Sequence, residues 1–342
     1  MVTPQNKQTV SKSSTPARAQ PSKASPSTAQ PSASGKSRKP GGRPPGVAPQ
    51  HVATARDWIG GARLRTLPLA IAPVALGTAA AFVLGDGEWH PVRALLCLAV
   101  ALGLQVAVNY SNDYSDGIRG TDKHRVGPSR LVGSGAASPR AVLTVAFVFY
   151  ALSALAGVGV VVASGQYWLL VVGAVCIVAA WLYTGGKKPY GYYGFGEVVV
   201  FVFFGIVATA GTTYVLAGSV NLESWLAGTA AGLFACAVLV VNNLRDRSQD
   251  KAAGKRTLSV LIGDLGSRAL FAILMLLPFV ILVFFSLLYP NAPYAYLTMF
   301  IAIPVVLIVS TAKKTAEFVL ALQLASVTAL LFALTLAWAI AF

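Results

Sequence analysis

Residues 92–116 read VRALLCLAVALGLQVAVNYSNDYSD. Up to Asn112 the stretch is predominantly apolar, with Arg93 at its start as its one charge, and it reaches the roughly 20 residues that a helix needs to cross a bilayer. Its end is not a turn. Asn109, Asn112, Asp113 and Asp116 follow at spacings of three and four, which places them along one face of a continuing helix. Amides that run back into an apolar span are hard to explain as solvated loop. The stretch therefore predicts a membrane helix whose end carries chemistry.

The rest of the chain agrees. It has 342 residues, 55% of them hydrophobic and 11% charged, with a mean hydropathy of +0.65; a soluble domain is about one-quarter charged. Nine apolar runs predict spans at 67–85, 92–112, 141–163, 166–183, 197–217, 223–243, 268–289, 293–311 and 317–340, an all-α integral membrane protein. Turn signals separate them, among them Gly85-Asp86-Gly87, Gly185-Gly186 and Pro290-Asn291. Lys and Arg collect on alternate connections (113–140, 184–196, 244–267, 312–316), with Arg93 the exception. The N-terminus and these loops are therefore expected inside, and the C-terminus outside.

The net charge of +15 sits mostly in a tail. Up to Arg56 there are nine basic residues and no acid, which leaves +6 for the remainder. Residues 1–55 hold no Phe, Trp, Tyr, Ile or Leu and cannot bury enough apolar surface to offset chain entropy, so they are expected to be a disordered tail preceding a domain over 56–342. Basicity of this kind gives no nucleic-acid-binding fold. The three cysteines, Cys97, Cys176 and Cys236, lie inside apolar runs and read as packing residues, which excludes a disulfide scaffold, and the three histidines make a His-based metal site improbable.

A second polar end follows the sixth run: Asn242-Asn243-Leu-Arg245-Asp246-Arg247-Ser-Gln-Asp250-Lys251. Asn-x-x-x-Asp occurs at 109/113 and again at 242/246, an offset of 133 residues and four spans, as equivalent points in two related halves. Carboxylates gathered at low dielectric raise one another's pKa unless a cation joins them. Oxygen donors from Asp and Asn suit hard Mg2+, which binds through few carboxylates and substrate phosphates. Two facing sets would hold one diphosphate through two ions, and Arg119, Lys123, Arg130, Arg245, Lys255 and Arg256 would neutralise what charge remains.

Taken together, Asn112-Asp113-x-x-Asp116 and Asp246-x-x-x-Asp250 resemble the paired aspartate motifs of the UbiA superfamily of intramembrane prenyltransferases. Arg63-Leu-Arg65-Thr-Leu-Pro68, Ser129-Arg-Leu-Val-Gly-Ser-Gly135, Tyr183-Thr-Gly-Gly-Lys187-Lys188-Pro-Tyr190 and Gly254-Lys-Arg-Thr-Leu258 resemble its 1,4-dihydroxy-2-naphthoate polyprenyltransferase branch. The resemblance implies a bundle of about nine helices in a bacterial cell membrane, around a central cavity capped on the cytoplasmic side, where the active site lies. It also implies Mg2+-dependent transfer from a polyprenyl diphosphate to the naphthoate in menaquinone synthesis. Asp113, Asp116, Asp246 and Asp250 would hold metal with Asn109 and Asn242, and Asp122 would join the catalytic set despite a longer spacing after Asp116. Substrate would meet Asn109, Asn112, Arg119, Lys123, Asn242, Arg245 and Tyr190, with Lys187 or Lys188 on the acceptor carboxylate.

The chemistry sets further expectations. Ionising an allylic diphosphate makes a carbocation that water would capture, so the site must be dry. Tyr110, Tyr114, Tyr183, Tyr190, Tyr192 and Tyr193 are candidates to face the cation, or equally an interfacial belt. Glu197 reads as a helix cap. Rival readings are another acceptor (4-hydroxybenzoate, homogentisate or haem), a secondary transporter, or a non-catalytic scaffold. Transporters carry ionisable residues near the midplane, and these spans have none there.

Overall fold

A computed structural model describes residues 52–121, 128 and 130–342. The expectations for the tail up to residue 51, and for Asp122 and Lys123, fall outside the described residues. Besides two short 3-10 turns (Leu64–Thr66 and Tyr190–Tyr192), the described residues form ten helices: α1 Ala55–Gly61, α2 Pro68–Leu84, α3 Pro91–Arg119, α4 Pro139–Ser164, α5 Leu169–Leu182, α6 Gly196–Ala217, α7 Leu222–Ala252, α8 Leu258–Leu288, α9 Ala292–Thr311 and α10 Thr315–Ala341. No strand occurs among the described residues.

Local signals set the ends. Pro68, Pro91 and Pro139 open α2, α3 and α4, where a missing N–H costs nothing. Ser138 and Asn221 accept backbone N–H bonds from Ala141 and Ser224 as N-caps of α4 and α7. Gly120 and Gly165 close α3 and α4 in left-handed conformation.

Each expected span coincides with a helix, but the count of nine is not established. Seven helices among the described residues are long and apolar enough to cross, and an eighth crossing results if α2 is joined to the segment before it, across a 45° bend. At 14 residues, α5 is about 21 Å long, short of a hydrocarbon core of about 30 Å. Two helices also run beyond their apolar stretches. α3 continues to Arg119 and α7 to Ala252, so both polar motifs ride on helical turns instead of the connecting loops. α8 starts ten residues before its expected span and is broken at Gly263, where φ is +79°.

Packing centres on α7, against which α2, α6, α8 and α10 lie. Its Phe234, Val240 and Val241 join Leu76, Phe271, Met275, Leu282, Phe285, Phe332 and Leu336 in one fully buried core. α6 approaches closely through a π-helical stretch, Phe201–Val207. A Cβ on Gly205 would sit 2.5 Å from the Gly228 carbonyl oxygen and 2.6 Å from Gly232 Cα, the small-residue contact typical of membrane helix pairs. Leu95, Leu155, Val162, Leu265, Leu287 and Phe300 are exposed around the outside; a lipid-facing surface requires such residues, and a soluble one would not tolerate them. Arg93, the outlier in the charge pattern, donates to the carbonyls of Ala163 and Leu216, the last turns of α4 and α6.

Candidate active site

A cavity of about 560 Å3 runs between α2, α3, α4, α5, α6 and α7. Its deeper walls are apolar: Val100, Leu104, Val158, Leu169, Ile177 and Phe203 among others. Its other end is built from Asn109, Asn112 and Asp116 of α3, Asn242, Asn243, Asp246 and Asp250 of α7, and Arg63, Arg65, Arg130, Tyr192 and Lys255 from the connecting segments. Both helices reach this end because each is prolonged past its apolar run.

Asp116 is the hub. Its carboxylate is 4% exposed and accepts from Lys255 Nζ at 2.9 Å and Tyr192 Oη at 2.5 Å, with Arg130 at 3.4 Å. The same Lys255 ammonium lies 3.7 Å from Asp250 Oδ1 and 4.5 Å from the centre of the Tyr192 ring. One cation thus touches both aspartate motifs. Two turns place it there. Gly254, at φ +75°, lets the Lys255 N–H close onto the Asp250 carbonyl, and the Arg256 N–H bonds the Tyr192 carbonyl. Burial, and then the Asp116 carboxylate, push the Tyr192 phenol above its ordinary pKa, so it remains a donor. Arg245 forks onto the neighbouring Asp246 at 2.6 and 2.7 Å.

Each cavity asparagine has a second partner. Asn109 Nδ2 donates to the Ala62 carbonyl at 2.9 Å. Asn112 Oδ1 accepts from Thr184 Oγ1 at 2.6 Å, and Asn242 Oδ1 from Arg245 at 2.9 Å. Asn243 Nδ2 donates to Glu197 Oε1 at 3.0 Å.

Several expected placements need correction. Asp113 does not line the cavity: its two oxygens accept the backbone N–H groups of Leu131 (2.9 Å) and Val132 (3.0 Å), and it is 2% exposed. The i+4 step from Asn109 places it at the edge of the helix face that meets this loop, while Asn112 and Asp116 continue the face toward the cavity. Arg119 is also drawn away, donating at 2.5 Å to the carbonyls of Thr184 and Gly186. Lys187 and Lys188 are exposed and outside the lining. Tyr190 lines the cavity but donates its hydroxyl to the Ala179 carbonyl. Of the 109/113 pair only Asn109 lines the cavity, whereas both residues of Asn112-x-x-x-Asp116 share it with Asn242-x-x-x-Asp246. Sequence reasoning gave no weight to Thr184 or Asn243, whose contacts join residues far apart in the chain. Glu197 stands on the first turn of α6, where a carboxylate was expected, and its side chain is also buried against Asn243.

The donor set suits a hard divalent cation. The available ligands are oxygens, and a lysine ammonium already occupies the gap between Asp116 and Asp250. Among the described residues no three His, Cys, Asp or Glu side chains converge by themselves, so amides together with water or substrate oxygens would complete any coordination.

A membrane-embedded helical cavity with an oxygen-rich, cation-balanced head and apolar walls defines a class: an intramembrane site for an anionic headgroup with a long apolar tail. Within that class the chain belongs to the UbiA prenyltransferase family, whose sequence profile matches residues 70–317. Over 220 residues, 64% of this chain and 74% of the relative, it is 56% identical to the 1,4-dihydroxy-2-naphthoate octaprenyltransferase of Mycobacterium tuberculosis. The fold is that of a UbiA homologue from Aeropyrum pernix K1, at TM-score 0.62 and 17% identity over 78% of this chain and 96% of that one. A UbiA homologue from Archaeoglobus fulgidus bound to DMAPP and Mg2+ aligns at TM-score 0.53 and 14% identity, covering 81% and 99%.

Proposed function

We propose that the protein transfers a polyprenyl group from polyprenyl diphosphate to 1,4-dihydroxy-2-naphthoate, releasing diphosphate and CO2 and forming the demethylmenaquinol skeleton of menaquinone synthesis. The observation that carries this reading is the Lys255 bridge between Asp116 and Asp250 at the head of an apolar cavity. The mycobacterial relative supports the choice of acceptor.

Asp116, Asp246 and Asp250, with cavity asparagines, would hold Mg2+, two ions being the count that bridges a diphosphate. When bound, Mg2+ neutralises the leaving group as its charge develops. Lys255 and Arg130 add positive charge at the same place, and Tyr192 holds Asp116 by hydrogen bond. The apolar walls of α3, α5 and α6 exclude water from the carbocation. Bond formation at the carboxylate-bearing ring carbon, then loss of CO2, restores the aromatic ring.

The acceptor carboxylate needs a cation inside the cavity. Lys187 and Lys188 are exposed, so Arg63 and Arg65 take that role in place of the earlier expectation. Arg63 holds a positive φ of 54° in the turn before α2, a strained conformation of the kind that accumulates at functional sites. The basic loops and the polar head share one end of the bundle, which by the charge rule is the cytoplasmic face of a bacterial cell membrane.

The test is direct. Purified protein with Mg2+ and a polyprenyl diphosphate is offered 1,4-dihydroxy-2-naphthoate, 4-hydroxybenzoate or homogentisate, and products are identified by mass. Prenylated naphthoquinol from the first alone is expected. Product from 4-hydroxybenzoate alone would overturn the acceptor assignment, and no product from any would overturn the enzyme reading.

A further inference from the structure

A carboxamide has two chemical faces, an oxygen that accepts and a nitrogen that donates. Which face an asparagine presents is set by what its other face already bonds. The four cavity asparagines divide on this basis. Asn109 and Asn243 commit nitrogen to the Ala62 carbonyl and to Glu197, leaving oxygen for the cavity. Asn112 and Asn242 commit oxygen to Thr184 and Arg245, leaving nitrogen. The sequential neighbours Asn242 and Asn243 therefore offer opposite chemistry, and each of α3 and α7 supplies one of each kind.

Two of the four partners have only one chemical sense: a backbone carbonyl accepts and a guanidinium donates, so neither of those amides can turn over and keep its bond. At Asn243 the bonded atom is a Glu197 carboxyl oxygen that accepts. Glu197 is 7% exposed, on the first turn of α6, and does not itself line the cavity. A place near a helix N-terminus explains tolerance of its charge. It does not explain why the side chain is aimed at a cavity amide.

We propose that this division is functional: Asn109 and Asn243 present carbonyl oxygens to the divalent cation, Asn112 and Asn242 present N–H groups to diphosphate oxygens, and Glu197 is the positioning residue that commits Asn243. This rests on the reading of the cavity head as a Mg2+–diphosphate site.

The experiment measures two ligands separately on the full chain in detergent: Mn2+ alone, by the loss of the free-ion electron paramagnetic resonance signal, and metal-free inorganic pyrophosphate, by calorimetry. Glu197→Gln keeps the size of the side chain but adds a donor, so Asn243 is free to invert. Mn2+ affinity should fall about tenfold or more, as for loss of a partner that orients a metal ligand, with pyrophosphate affinity unchanged. Asn242→Asp should do the reverse, weakening pyrophosphate about tenfold without loss of Mn2+ affinity. Wild-type Mn2+ affinity in Glu197→Gln, or equal losses of both ligands, overturns the division. A wild-type protein that takes up no Mn2+ overturns the underlying site reading instead. Should thermal melting show Glu197→Gln to be unfolded, Asn243→Ala carries the same expectation, and unchanged Mn2+ affinity there also overturns the proposal.

Discussion

Two aspartates three residues apart do different work. Asp116 is held by Lys255, Arg130 and Tyr192 in the cavity, whereas Asp113 secures the backbone of the loop that carries Arg130. Asp116→Asn should lower kcat/KM by roughly 10²–10³-fold, the scale of losing one preorganised electrostatic group, and should also lower the melting temperature, because Lys255 and Arg130 lose their buried carboxylate. Asp113→Asn forfeits one of two charge-assisted bonds and should cost about 1.5–3 kcal/mol of stability. Its catalytic loss should appear mainly as a raised KM for the diphosphate substrate, because Arg130 is displaced while Asp116 stays. Equal kinetic damage from both substitutions would return Asp113 to the metal set. For Tyr192 the sign follows from its raised pKa: the phenol stays protonated through and beyond the ordinary tyrosine range. Wild-type and Tyr192→Phe enzymes should therefore show the same alkaline limb in a pH–rate profile up to about pH 10. A limb present only in the wild type would place the phenol's titration lower.

At the level of elements, helix length and helix contact decide where chemistry sits. α3 and α7 continue beyond their apolar runs, and the extra turns bring Asp116, Asp246 and Asp250 to one cavity. The other wall rests on the close α6–α7 contact at Gly205. Gly205→Val would drive methyl groups into the Gly228 carbonyl and Gly232, and overpacking of that kind costs about 1–3 kcal/mol or more. Gly173 on α5 faces open space, so Gly173→Ala should be neutral or slightly stabilising. Melting of the two variants in one detergent checks the contrast; equal melting temperatures would mean that the α6–α7 contact is not tight. Both glycines look alike in sequence, since each lies in an apolar run and neither announces its neighbour.

For the whole molecule, most of the cavity and its head lie within the family-matched region, Arg63 and Arg65 stand just before it, and the basic segment up to residue 50 lies farther toward the N-terminus. Removing residues 1–50 should leave kcat/KM within about twofold in a detergent assay; a larger loss would assign that segment a role at the membrane or the site. The sequence by itself determined the class of fold, the approximate position of every apolar helix and the two motifs, because hydropathy over 20 residues and spacing at 3.6 are local properties written along the chain. Asn109, Asn112, Asp116, Asn242, Asp246 and Asp250 were legible in this way. Tertiary structure alone decided that Asp113 turns to a loop, that Arg119 pins the Thr184–Gly186 turn, that Lys187 and Lys188 stay outside, and that Lys255 spans the two motifs. Residues three and four apart share a helical face whatever surrounds it. Which edge of that face meets a loop and which meets a cavity is fixed by contacts across tens to more than a hundred residues, where periodicity carries no information.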